Sequence, residues 1–395
     1  MLELTGKYNT AKVFTDNIDS ETISQVIQLL NMPYMEDHQV RIMPDCHAGK
    51  GCVIGTTIQL TDKVVPNLVG VDIGCGMLAV KLNTKELDLA KLDKVINEKV
   101  PSGFSVHERA VAKFDKLGEM VYRVDADIVN KSIGSLGGGN HFIEVDRDSK
   151  GNLWLVIHTG SRHLGVEVCG FYQRLGISKL RETHVENKIK ETIERLKAEG
   201  KQKDIENTIK ILRMQKSPIP DDLCYVEEDN FNDYIHDMGI VQEFAKLNRR
   251  TIANIILKEM ELKEVESFDT IHNYINMNDM ILRKGSISAR YGEKVLIPMN
   301  MRDGSLICIG KGNADWNYSA PHGAGRILSR AQAKNQVSLD SFKETMSGIY
   351  STSVVESTID EAPMVYKPME EIIENIGDTV NVVEVIKPIY NYKAH

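Results

Sequence analysis

The spacing of apolar residues changes period twice along the chain, and this restricts the fold more than any other feature. Up to about residue 170 they fall in short, β-branched runs bounded by glycine-rich turns, as in CVIGTTIQL at 52–60, MLAVKL at 77–82, HFIEV at 141–145 and LWLVIH at 153–158. Residues 172–216 are charged, poor in glycine and helical in period. A second helical stretch, about 229–261, carries an apolar stripe through FNDYIHDMGIVQEFAKLNRRTIANIILKEM. Short strands return after 266, as KVLIPM and SLICIG, and a further helix is expected from about Ala324 to Ala333. These alternations predict an α+β fold, its β-rich halves 1–170 and 266–395 packed around a helical insertion at about 172–261. No Pro/Ser linker, low-complexity tract or internal repeat divides the chain, so residues 1–395 are expected to form one domain.

Composition narrows the function classes. The chain has 395 residues, 42% hydrophobic and 26% charged, the balance of a globular protein with ample core-forming material. No apolar run reaches bilayer length, and the N-terminus MLELTGKYNTAKVF lacks the order of a signal peptide, so the cytoplasm is the expected compartment. Six cysteines (Cys46, Cys52, Cys75, Cys169, Cys224, Cys308) are too few for a disulfide scaffold in a chain of this size. A special one should act as a thiolate ligand or nucleophile. The net charge of -8 argues against a generic nucleic-acid coat protein but leaves room for a local basic patch.

Five segments could carry chemistry. In VGVDIGCGM, 69–77, Asp72 and Cys75 sit three apart on a glycine-rich turn, where both can face one point. In GSLGGGNHFIEV, 134–145, three glycines lead into Asn140 and His141 and allow close approach of a ligand. His158 closes an apolar strand and is followed by Ser161 and Arg162 on a turn, while His272 and Asn273 interrupt a β-branched run. The last is GKGNADWNYSAPHGAGRILSR, 310–330, in which His322 precedes the expected helix start, a setting suited to phosphate, with Arg326 and Arg330 one turn apart. Each alone has a bland reading: a buried cysteine in a turn, a structural histidine, a flexible glycine run. Together Asp72, Cys75, His141, His158 and His272 offer one carboxylate, one thiolate and three imidazoles. That set suffices for two metal ions if the thiolate bridges them. Cys and His lean towards zinc, although imidazole and carboxylate also accept manganese. Paired divalent ions suit phosphoryl transfer. Zinc-finger, zincin and Walker spacings are absent.

DIGCG, GGGNHFIE, HTGSR, HNY and PHGAGR, in this order, resemble the RtcB family of RNA-splicing ligases. MPDCHAGKG (43–51), HDMGIVQEFAKLNR (236–249) and DEAPMVYK (360–367) extend the resemblance from about residue 40 to the C-terminus. It implies mixed β-sheets around a central metal cleft. It also implies a GTP-dependent ligase that joins RNA 3′-phosphate or 2′,3′-cyclic phosphate ends to 5′-hydroxyl ends in RNA repair or tRNA splicing. Two Mn²⁺ per subunit would be held, one by Asp72, Cys75 and His141, the other by Cys75, His158 and His272. His322 would be the nucleophile that carries GMP. The resemblance places GTP against Asn140, His141, Phe142, Ile143, Glu144, His272, Asn273, Pro298, Met299, Asn300, Met301, Ser305, His322, Gly323, Ala324, Gly325, Tyr366 and Lys393. Arg162, Arg326 and Arg330 are candidates for the RNA backbone. Some family members depend on archease, which is therefore a candidate partner.

Three departures mark a divergent branch of bacterial type. Met299-Asn300-Met301-Arg302 stands where a Gly-Ser-Met-Gly loop is frequent, Pro321 where a cysteine is frequent, and His163 where glycine is usual. Two other readings compete: a metal-dependent phosphodiesterase or phosphatase on cyclic-phosphate RNA ends without ligation, and a non-enzymatic, metal-stabilised RNA-binding protein. His322, Glu144 and Lys393 favour the ligase, because neither rival needs them. His38, His107, His184 and His236 are read as structural or surface residues.

Overall fold

Strands from before and after the helical region interleave in both large sheets. The structure is a computed structural model describing residues 1–213 and 217–394; the end of the expected helical stretch, 214–216, and His395 lie outside the described residues. One sheet has six strands in the order Leu2–Thr5, Thr10–Val13, Val40–His47, Ile54–Gln59, Ile281–Lys284, Asn273–Asn276. The other has seven, in the order Glu264–Ile271, Gly76–Leu82, Leu153–Thr159, Phe142–Arg147, Val380–Lys393, Gly304–Gly310, Lys294–Asn300. The class is α+β, and the six strands expected from sequence are all present.

The seven-stranded sheet explains how distant motifs meet. Gly76–Leu82 pairs antiparallel with Leu153–Thr159 so that Met77 opposes His158, and Phe142 opposes His158 from the other side. Glu264–Ile271 pairs with Gly76–Leu82, setting Ile271 opposite Gly76 and His272 just beyond. Cys75 and His141, just before their strands, His158, near the end of its own, and His272, just after its own, therefore converge on one sheet end. Alternation along Phe142–Arg147 sends Ile143 and Val145 into one core cluster, while Phe142 faces another.

Two helix boundaries differ from the expectation. The first long helix is Arg162–Ala198, beginning ten residues before the charged stretch, and a short helix Ile205–Leu212 follows. Gly165 and Gly176, inside this helix, are contact points: a Cβ at Gly165 would lie 2.7 Å from the Val71 carbonyl oxygen, and one at Gly176 2.6 Å from that of Tyr225. The second long helix, Glu228–Glu259, lies close to where the apolar stripe put it. The expected helix Ala324–Ala333 is Arg330–Gln336 instead, begun by a capping box between Ser329 and Gln332. Residues 323–329 are irregular, tied by a bridge between Arg326 and Tyr366. Among the described residues no helix is long and apolar enough to cross a membrane.

Candidate metal centre and nucleotide pocket

Asp72, Cys75, His141, His158 and His272 come together as two groups that share Cys75. One is Asp72, Cys75 and His141; the other is Cys75, His158 and His272; within each, the donor atoms lie within 4.8 Å of one another. Cys75 Sγ stands 3.4 Å from His141 Nε2 and 3.3 Å from His158 Nε2. His158 Nε2 faces His272 Nε2 at 3.4 Å, and Asp72 Oδ2 lies 2.9 Å from His141 Nε2.

The surroundings fix which atoms point inward. His141 Nδ1 lies 2.9 Å from the Leu136 carbonyl and His158 Nδ1 3.1 Å from that of Asn140, so each Nδ1–H donates outward and leaves a lone pair on Nε2. Burial holds His158 and His272 well below the usual imidazole range, with the neighbouring rings adding to the effect, so both are neutral. Burial also pushes the Cys75 thiol well up. Neutral imidazole nitrogens aimed at one another and at a thiol have too few protons to bond among themselves. A cation satisfies them and stabilises the thiolate, so the donor set fits metal ions.

The turn that carries Asp72 and Cys75 is clamped from behind. Arg249, with no exposed side-chain surface, donates to the carbonyls of Gly74 (2.7 Å) and Thr159 (2.9 Å) and pairs in bidentate fashion with Asp269 at 2.8 Å. Asn248 accepts from the N–H groups of Gly134 and Ser135 and donates to the carbonyls of Ser135 and Gly160. Gly160 has to be glycine, since a Cβ there would sit 2.1 Å from Asp72 Oδ1. Asn273 supports the same turn: its Nδ2 donates to the Asp72 carbonyl and its Oδ1 accepts from Gly285 N.

The cluster adjoins a cavity of about 970 Å³, whose lining includes His158, His272 and His322. His322 follows the strand Ser319–Pro321, and its ring centroid is 4.9 Å from that of His272. The fully buried Asp45 holds this segment: its Oδ2 accepts from the N–H groups of His322 (3.1 Å) and Gly323 (3.2 Å) and lies 2.7 Å from His322 Nδ1. The anion seat expected from a helix N-terminus is therefore not what surrounds His322. A carboxylate occupies those N–H groups, because the helix begins only at Arg330.

The cavity is also lined by Phe142, Glu144, Tyr366 and Lys393 and by the run Pro298, Met299, Asn300 and Met301. Glu361 links much of this lining. It lies 3.0 Å from Lys393 Nζ, accepts from the Tyr366 hydroxyl at 2.7 Å and pairs with Arg326 and Arg330. Burial would raise Glu361, but Lys393 and Arg330 pull it below its usual value. Burial pushes Glu144 up to about 8 against the pull of Lys393. In the loop after Met299, Arg302 pairs with Asp303, and Asn300 Oδ1 accepts from the N–H groups of both, so the added cation is neutralised within its own turn.

Asn140, Gly323, Ala324, Gly325, Arg326 and Arg330 also line the cavity. His141, Ile143, Ser305 and Asn273 do not: His141 points into the cluster beside Cys75 and Asp72, Ile143 packs in the core on the other face of its strand, and Ser305 is fully buried. Arg162, part-buried at a positive φ of 56°, spends Nε on Ser135 and Nη2 on the Gly103 carbonyl. Asp45, His47, Glu361 and Asn391 belong to the site without having been singled out. For Asp45, His47 and Glu361 the available signal was their place in the blocks MPDCHAGKG and DEAPMVYK.

Comparison with known proteins gives one consistent result. A family model described as tRNA-splicing ligase RtcB matches residues 25–129 and 118–394. The RNA-splicing ligase RtcB of Escherichia coli K12 is 28% identical, with 99% of each chain covered. The tRNA-splicing ligases RtcB of Nanoarchaeum equitans (25% identical, 93% of this chain and 90% of the relative) and Methanococcus maripaludis (24%, 96% and 92%) are similar along their length.

Proposed function

Because the chain belongs to the RtcB family, we propose that it is an RNA ligase, one that uses GTP and a guanylylated His322 to join 3′-phosphate or 2′,3′-cyclic phosphate ends to 5′-hydroxyl ends. The observation that carries this reading is the position of His322, beside the metal-ligand cluster, against a buried carboxylate and facing a nucleotide-sized cavity.

The Asp45 carboxylate, 2.7 Å from His322 Nδ1, favours a proton on that nitrogen and would leave the Nε2 lone pair as nucleophile. Nε2 attacks the α-phosphorus of GTP; a P–N bond forms, the bond to the bridging oxygen breaks, and pyrophosphate leaves. An oxygen of the RNA 3′-phosphate then takes the guanylyl group, breaking the P–N bond. Finally the 5′-hydroxyl, losing its proton, attacks the 3′-phosphorus and expels GMP. A 3′-phosphate has no good leaving group, and capping with GMP supplies one. A cyclic end is first opened to the 3′-phosphate by water.

Asp72, Cys75, His141, His158 and His272 would hold two Mn²⁺ ions, whose charge would offset that developing on the phosphoryl oxygens. Phe142 and Tyr366 would border the base, with Glu144 and Lys393 reading its polar edge. Met299, Asn300 and Met301 give the cavity lining more bulk than small residues would, which should narrow the range of nucleotides accepted.

The test is incubation with manganese and α-labelled GTP, followed by a denaturing gel. Label on the wild type and none on His322→Ala is expected. No label on either, with metals bound, would favour the phosphodiesterase reading instead. Cys75→Ala should lose both metals and the label, because it removes a ligand from each group; full metal content in that variant would sink the bridging role.

A further inference from the structure

Phe104 is the most exposed large apolar side chain among the described residues, at 106%. A single exposed ring is ordinary on a protein surface. This one differs in how it is held and in what it adjoins. Ser105 N donates to the Ser102 carbonyl, closing a tight turn with Gly103 at a φ of +62°. Gly103 N donates to the Gly137 carbonyl at 2.9 Å, Leu136 N to that of Pro101 at 2.8 Å, and Arg162 Nη2 to that of Gly103 at 2.7 Å. The turn is fastened at its base, so the ring is presented by a fixed platform.

That platform is joined to the glycine run leading to the metal ligand His141. A Cβ at Gly138 would touch Gly103 Cα at 3.7 Å, and one at Gly139 would lie 3.9 Å from an Arg330 guanidinium nitrogen. Asn140 and Arg330 both line the cavity that holds His322. At 3.8 Å per Cα step, Phe104 lies within about 17 Å of Asn140.

We propose that Phe104 is a stacking platform for an unpaired base of the RNA, a few nucleotides from the end being joined. This rests on the ligase reading. Planar bases stack on exposed aromatic rings whatever their sequence, and strand ends near a break are unpaired. The exposed apolar side chains near Phe104 in sequence are Val106 and Val111, at 40% and 49%, too few for the broad apolar area of a protein interface, which favours a base. Arg330, on the cavity side of the glycine run, is held there by Asp360 and Glu361, so the ring rather than an unpaired charge marks the path to the reacting end.

The experiment uses the full chain with a synthetic pair of RNA strands. Phe104→Ala should take GTP label on His322 as the wild type does, and should raise the RNA KM about tenfold with little change in kcat. Phe104→Trp should restore the KM and Phe104→Leu should not. RNAs lacking one base at successive positions near the join then supply a cycle. One of them should weaken wild-type binding to the level of Phe104→Ala and lose nothing further with that variant. An RNA KM within twofold of wild type in Phe104→Ala, or equal penalties from every missing base in both proteins, overturns the proposal. Direct binding of 3′-phosphorylated RNA, read by anisotropy without GTP, keeps the question separate from ligation: a wild type that binds RNA but never ligates counts against the ligase, while the Phe104 comparison still stands. A variant with altered sedimentation and unchanged RNA binding would make this face a protein contact and overturn the proposal as well.

Discussion

The two long helices follow each other in sequence and contribute very differently. In Arg162–Ala198, 37 residues long, the buried positions run from Leu164 to Gly176, with Leu196 beyond them. Glu228–Glu259, 32 residues long, buries side chains from Tyr234 to Ile256, among them the polar Asp237, Asn248 and Arg249 with no exposed surface. Asp237 accepts from the N–H groups of Val121 and Tyr122 and from the Tyr172 hydroxyl. Asn248 and Arg249 grip the backbone on both sides of the metal cluster. An apolar stripe tells a helix which side to bury, but leaves it free to slide or turn by small amounts. Buried polar groups remove that freedom, since each must keep its partners or be left unsatisfied in a low-dielectric interior. The second helix is thus part of the site's frame, and the far end of the first is a solvated extension.

The largest effect should come from Arg249→Met, which strands Asp269 and frees two carbonyls. A loss of about 3–5 kcal/mol in denaturant unfolding is expected, together with lower metal content in whatever protein stays folded. Full metal retention would show that the clamp is dispensable and would erase the distinction between the helices. Asn248→Ala comes next, with a cost of about 1–3 kcal/mol from unsatisfied backbone groups. Because Gly160 adjoins Asp72, weaker metal binding should accompany it, measured by titration of the metal-free protein. Smallest is the pair Lys190→Glu and Lys197→Glu on the exposed end of the first helix. Stability should stay within about 0.5 kcal/mol, and RNA ligation should be unchanged at moderate salt. A clear drop in RNA affinity would mean that these lysines guide the substrate, making the extension functional after all.

Legibility followed the same division. Strand runs such as MLAVKL and LWLVIH were readable because a half-buried sheet imposes a period of two and β-branched residues satisfy it locally. The candidate metal donors were readable because Cys, His and Asp on glycine turns are chemically distinctive, and motif order carried the family. The start of the first helix was not, because Gly165 and Gly176 look like breakers until the backbone packed against them is known. Nor was the setting of His322. Sequence suggested a helix N-terminus, whereas the N–H groups are taken by Asp45, nearly three hundred residues earlier.

By itself, then, the sequence determined the α+β class, the two long helical stretches and the family, and it singled out the candidate donor set, all of which rest on local periodicity or on residue chemistry. Tertiary structure alone decided that Arg249 and Asn248 hold the turns in place and that Glu361 connects Lys393, Tyr366 and two arginines. Those are distances between groups far apart in the chain, set by sheet register and helix packing, and no local pattern encodes them.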